Sequence, residues 1–195
     1  MDLNHIECAY GEDSKTILKR LSILIKELFD KDIPVFECGF EYYCSMARID
    51  EKEIRIMFGK DSEEYKEFYS ESFRKNMDTK VAIENYDNCP KFLFIFFHEL
   101  SHMLTVNMKI DQYAIIYNKW RTEYQESIDP QLLHRLFPYE KLADNLSVKL
   151  ITENKKEIMN ILSGEPYCIS DKQKRKNLKL IRRYEEKYIK SMVAP

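Results

Sequence analysis

The chain has 195 residues, one domain's worth by length, with 44% hydrophobic and 33% charged side chains, which supplies a packed core under a charged surface and excludes a disordered or collagen-like chain. With 31 Lys plus Arg against 33 Asp plus Glu the formal charge is −2, so no chain-wide field draws it to nucleic acid or an anionic membrane, and such a partner would need a local patch. The five cysteines, Cys8, Cys38, Cys44, Cys89 and Cys168, are scattered and form no Cys-x-x-Cys pair, which reads as reduced thiols in a cytosolic protein rather than a zinc or disulfide framework.

The N-terminal stretch MDLNHIECAYGEDSK lacks the basic start and apolar run of a secretory signal, so a cytoplasmic location is expected. The most apolar segment, Phe92 to Phe97, is far shorter than the roughly 20 residues that span a bilayer. Ser14 reads as a helix N-cap, and Ile17, Leu18, Leu21, Leu24, Ile25 and Leu28 then recur at helical spacing up to Phe29. After the break at Pro34, three short runs (Val35 to Cys38, Tyr42 to Ile49 and Ile54 to Phe58) are separated by Gly39, Asp50-Glu51 and Gly59, and predict a small antiparallel sheet. Asp61 to Asn76 reads as a surface helix and Lys80 to Glu84 as a further strand. Residues 61–90 together look like an insertion between the sheet and the apolar helix that begins beyond Pro90.

Asn88-Cys89-Pro90 marks that helix start, and the segment KFLFIFFHELSHMLTVNM is apolar on nearly every side except at its His and Glu residues, so it belongs in the core. Gln112 to Tyr124, Gln131 to Leu162 and Lys172 to Ser191 read as helical, with turns at Asp129-Pro130 and at Ser163-Gly164-Glu165-Pro166. No repeat or low-complexity linker divides the chain, and a single α+β domain over residues 1–195 is expected.

The chemistry lies in His98-Glu99-Leu100-Ser101-His102, an H-E-x-x-H pattern on the core helix. Positions i and i+4 project from one helix face, so two imidazoles can reach one tetrahedral ion. Glu99 sits beside them, close enough to act as general base without being a ligand. Ionisable groups in so apolar a helix would cost several kcal/mol to desolvate unless a metal, partners or a cavity compensates.

A zinc site of this type needs a third protein ligand. The H-E-x-x-H-x-x-G-x-x-H arrangement fails, because position 105 is Thr and position 108 is Met. The alternative takes a Glu from a later helix, with an Asp one turn on to hold a ligand histidine. Of the glutamates after His102, only Glu140 has Asp four residues on, at Asp144. Leu142, Leu146 and Leu150 form an apolar ridge on this segment, and the small Ala143 and Ser147 would let it approach the His98 helix closely.

FHELSHML followed by YEKLADNLSVKLI resembles the active-site core of the gluzincin metallopeptidases, most closely the small ImmA/IrrE-type proteases. The resemblance covers residues 92–151 at motif level. It implies a compact zincin-like (minigluzincin) fold with an N-terminal helix, a small sheet, a buried active-site helix and a helical C-terminal half. It also implies Zn2+ held by His98, His102 and Glu140, Glu99 as base, and Asp144 orienting a ligand. Known members are intracellular, and several clip a DNA-binding repressor to switch on phage, mobile-element or stress genes. The chain departs from the usual second motif at Leu146 and Ser147, where an aromatic and an alanine are common.

Such sites usually add a donor for the tetrahedral oxyanion, and Tyr113, Tyr117, Tyr139 and His134 are the candidates. Residues 172–195 form a basic amphipathic helix, with Leu178, Ile181, Tyr184, Tyr188 and Ile189 interleaved among Lys and Arg, which reads as a solvated face and secondarily as a nucleic-acid contact. Two functions from different classes are therefore expected. One is a zinc endopeptidase performing limited proteolysis of a protein partner such as a transcriptional repressor. The other is a zincin-shaped regulatory module of phage or mobile-element origin that sequesters a host protein without cutting it.

Overall fold

The computed structural model describes residues 14–37, 46–56, 71, 73–89, 91–105, 110–124 and 134–193. Helix α1 (Ser14–Phe29) buries Leu21, Leu24, Ile25 and Leu28 completely, the apolar face that the helical spacing predicts; burying one such side chain contributes about 1.5–3 kcal/mol. Strand β1 (Val35–Glu37) comes next, and its first amide, on Val35, donates to Ser22 Oγ at 3.1 Å, which docks the strand on α1.

Strands β2 (Met46–Arg48) and β3 (Glu53–Ile56) complete a sheet of order β1-β3-β2. β2 and β3 pair antiparallel, with Ala47 opposite Ile54, whereas β1 and β3 run parallel, with Val35 also opposite Ile54. The sheet is mixed, and this corrects the antiparallel expectation. The return strand of the β2–β3 hairpin sits beside β1, and the alternation of buried Ile54 and Ile56 with half-buried Glu53 and Arg55 is the same for either strand order.

Helix α2 (Lys80–Asp87) occupies the stretch expected to be a strand. Val81 and Ile83 suggest β structure locally, but Thr79 Oγ1 accepts from the Ala82 amide at 3.1 Å as an N-cap, and Ala82 and Tyr86 bury one helical face. Of the expected surface helix at 61–76, residues 71 and 73–76 are helical and the remainder lies outside the described residues. Helix α3 (Lys91–Thr105) is the core helix: Leu93, Phe94, Phe96, Phe97 and Leu100 are wholly buried. Helix α4 (Ile110–Tyr124) lays Ile116, Tyr117 and Trp120 against Phe137 and Tyr188.

The segment expected as one helix from Gln131 to Leu162 is interrupted twice. Pro138 opens α5 (Pro138–Glu153) at its first turn, and Asn154 separates it from α6 (Lys155–Ser163). Gly164, at φ 79°, ends α6 in the left-handed conformation that glycine adopts without strain. Arg20 of α1 fills the space where a Cβ would be and donates to the Leu162 carbonyl. Helix α7 (Asp171–Val193) buries Ile181, Tyr184 and Tyr188 and leaves Lys172, Arg175, Lys176, Arg182, Arg183 and Lys187 exposed, an amphipathic helix docked by one face. No described helix is long and apolar enough to cross a membrane. The described chain is thus mostly helical with one small sheet, an α+β arrangement in which α3 and α5 pack side by side.

Candidate metal centre

Small residues set the approach of α3 to α5. Ser101 and Ser147, both wholly buried, meet with their hydroxyl oxygens 3.1 Å apart while each also donates to its own helix four residues back. One turn along, the same faces carry His98 and His102 on α3 and Glu140 and Asp144 on α5. His98 Nε2 lies 3.1 Å from His102 Nε2 and 3.1 Å from Glu140 Oε2, and His102 Nε2 lies 3.3 Å from Glu140 Oε1. All three side chains are buried, and together they could hold a metal ion.

The spacing is itself a test of fit. Zinc bonds of about 2.0–2.2 Å in a tetrahedral shell place neighbouring donor atoms roughly 3.3–3.6 Å apart. The His98–His102 separation and the contacts of the two Glu140 oxygens, Oε2 with His98 and Oε1 with His102, come near those edges. Asp144, 0% exposed, accepts from His98 Nδ1 at 2.7 Å, which fixes the ring and directs Nε2 at the convergence point, the carboxylate–histidine pairing typical of metal sites. The expected arrangement of His98, His102, Glu140 and Asp144 is therefore brought together in space.

Glu99, next to His98 in the chain, is half-buried, and Ala47 of the edge strand β2 donates its amide to Oε2 at 2.8 Å. Burial pushes its carboxyl up; His98 and His102 pull it back without cancelling the rise, so the group lies nearer the range of a working general base. Burial likewise penalises charge on Glu140, but His102 and His98 outweigh it and hold that carboxyl well below its usual range. For His98 burial opposes the proton, yet Asp144 and then Glu140 raise it from 6.5 to about 10. The pocket is built to receive positive charge.

Two residues beyond the motif complete it. Arg135, 5% exposed, donates from Nη1 to Glu140 Oε2 at 2.8 Å and from Nη2 to Asp144 Oδ2 at 2.5 Å, with its guanidinium carbon 4.1 Å from the Phe73 ring centre. Burial works against its charge, and Asp144 and Glu140 more than offset that. Asn76 donates to Asp144 Oδ2 at 2.7 Å and to the Arg135 carbonyl at 2.6 Å. No motif spacing singles out either residue. The one signal in the sequence is a lone Arg five residues before Glu140, where a buried carboxylate needs a partner. Asn76 comes from the 61–90 stretch, whose described part packs on α5 and also bonds Asn145 through the Asp78 amide at 2.9 Å.

Among the oxyanion candidates, His134 borders the cluster. It is half-exposed, and its Nε2 is 3.7 Å from Glu140 Oε1. Tyr117 meets the His134 ring edge-on at 5.6 Å. Tyr139 is stacked on Tyr188 at 3.8 Å, in the second core cluster, and burial pushes its hydroxyl up to about 12. The Tyr113 side chain lies outside the described residues. No protein-family model, curated protein or solved structure matches the chain.

Proposed function

We propose that the chain is a zinc-dependent endopeptidase with a zincin-like fold, which makes limited cuts in a protein partner in the cytoplasm, a DNA-binding repressor being the partner class that the gluzincin resemblance suggests. The observation that carries this reading is the convergence of His98 Nε2, His102 Nε2 and the two oxygens of the Glu140 carboxylate within 3.1–3.3 Å, with a further carboxylate, Glu99, beside them and bound to none of the three.

His98, His102 and Glu140 are the ligands. Zinc held there supplies Lewis acidity, bringing the ionisation of water towards neutrality and polarising a peptide carbonyl. Glu99 accepts the proton of the attacking water and delivers it to the leaving amine, while the Ala47 amide keeps the carboxylate aimed. His134, on the exposed rim beside Glu140, donates a hydrogen bond to the oxygen that gains charge in the tetrahedral intermediate. Asp144 keeps His98 in the tautomer that presents Nε2.

The test pairs elemental analysis of the untagged protein with cleavage of a proteome-derived peptide library. Zinc near one equivalent, new N-termini with the parent, and none with Glu99→Gln at unchanged metal content support the reading. Absence of metal after zinc is offered and excess dialysed away defeats it. Zinc without cleavage, with the cellular effect unchanged in Glu99→Gln, favours the sequestering module.

A further inference from the structure

We propose that Arg135 is a positioning residue of the metal centre: its two-pronged grip on Glu140 and Asp144 holds the ligand carboxylate to one-oxygen binding and ties both carboxylates into a single rigid unit. The inference rests on the metal-site reading above and adds a role that no part of the H-E-x-x-H or E-x-x-x-D pattern carries.

The geometry is specific to a planar fork. Nη1 takes Glu140 Oε2 at 2.8 Å and Nη2 takes Asp144 Oδ2 at 2.5 Å, so neighbouring nitrogens of one guanidinium engage carboxylates one turn apart on α5. The fork is itself held. Phe73 lies across its face at 4.1 Å, and Asn76 bonds both the Arg135 carbonyl and the Asp144 oxygen that the fork engages. Asp144 spends its other oxygen on His98 Nδ1 at 2.7 Å. One chain of charge-assisted bonds thus runs from Glu140 through Arg135 and Asp144 to His98, joining two ligands on different helices.

The consequence is coordination number. A carboxylate with both oxygens available can close onto a metal through both and fill the position that substrate or water must occupy. Oε2, 3.1 Å from His98 Nε2, is shared with the guanidinium, whereas Oε1, which faces His102 Nε2 at 3.3 Å, carries no guanidinium contact and is the oxygen left to a metal. Lys has the charge but no fork, and reaches one carboxylate at a time.

Charge and positioning predict opposite results. A guanidinium acting only through its charge repels the metal, so its removal would tighten binding. A positioning guanidinium loosens binding when lost, by about 10–100-fold for a partner of this kind. The experiment measures zinc affinity by chelator competition and the visible spectrum after cobalt(II) loading, for the parent, Arg135→Met and Arg135→Lys. We expect both variants to bind zinc more weakly and to lose the intense four-coordinate cobalt bands. Tighter binding in Arg135→Met with a parent-like Arg135→Lys, or parent-like behaviour in both, overturns the proposal. If Arg135→Met does not fold, Arg135→Lys decides alone: weaker binding with altered bands supports positioning, and parent-like behaviour overturns it. A parent chain that takes up neither metal defeats the peptidase reading instead, an outcome distinct from metal bound equally by all three proteins.

Discussion

Among the described residues, two buried polar networks that join helices are built differently. Where α5, α6 and α7 meet, Asn154 and Asn177, both wholly buried, exchange reciprocal amide bonds of 3.1 and 2.9 Å, and each also reaches a backbone carbonyl, of Leu150 and Leu28 respectively. Donors meet acceptors, and Gln173 Nε2 adds bonds to Asn154 Oδ1 at 2.8 Å and Asn177 Oδ1 at 3.3 Å. Between α3 and α5, by contrast, two imidazole nitrogens face each other at 3.1 Å with a carboxylate against both. Nitrogen facing nitrogen can satisfy only one ring as donor and needs the other as acceptor, a poor structural joint and a good ligand set. The first network pairs its groups; the second points like groups at a shared centre, where a metal ion could sit.

The strongest way to break that contrast is to remove a ligand. His98→Ala and Glu140→Ala should each reduce bound zinc from about one equivalent to near none, whereas Asn154→Ala should leave stoichiometry at the parent value. Elemental analysis of the three variants checks this, and zinc retained in Glu140→Ala would move the third ligand elsewhere.

The networks should also differ in their response to pH. Amides do not titrate, so the Asn154–Asn177 contribution is flat. His98 is raised from 6.5 to about 10 in the metal-free chain, so its stabilising proton is fully present below about pH 6.5 and is lost as pH rises through about 10. A zinc ligand must be neutral, so metal expels that proton, and affinity from this one group rises up to about tenfold per pH unit over the same window. Melting curves in chelator should therefore fall from pH 7 to pH 9 while the gain on adding zinc grows. A gain that shrinks with pH would contradict the assignment of His98.

Two asparagines, one in each network, sharpen the distinction at smaller scale. Asn177→Ala removes the reciprocal bonds to Asn154 and the bond to the buried Leu28 carbonyl and should cost about 1–3 kcal/mol with zinc affinity unchanged. Asn76→Ala removes bonds to Asp144 and to the Arg135 carbonyl, and should combine a similar loss with zinc binding weakened about tenfold. Denaturant unfolding in chelator beside zinc competition separates the two.

The convergence of these four side chains was legible because helical spacing converts sequence positions directly into a shared face: His98 with His102, and Glu140 with Asp144, are each one turn apart. The pairing of those two faces was also foreshadowed, since Ser147 is small where α5 approaches Ser101. Arg135 and Asn76 were not legible, because their contacts depend on where a short turn before Pro138 and a segment ahead of α2 come to rest, and no periodicity encodes that. The sheet's strand order was hidden for a related reason: alternation specifies faces and not neighbours. At Lys80 to Glu84 the β-branched Val81 and Ile83 point to a strand, and the Thr79 cap together with Tyr86 packing decides for a helix.

That cap gives the smallest and most local test. Thr79 lies three residues after Asn76, so it anchors the far end of the segment that supports Asp144, yet it touches no ligand. Thr79→Ala forfeits the bond to the Ala82 amide and should cost about 0.5–2 kcal/mol, a typical cap loss. Asn76 keeps its own anchors, since its carbonyl accepts from Asn145 Nδ2 at 2.8 Å and its side chain remains on Arg135 and Asp144. Zinc affinity should therefore match the parent while the unfolding midpoint falls. If affinity falls as well, the support of Asp144 extends through α2, and the boundary between the structural and the chemical network lies further from the metal than these hydrogen bonds place it.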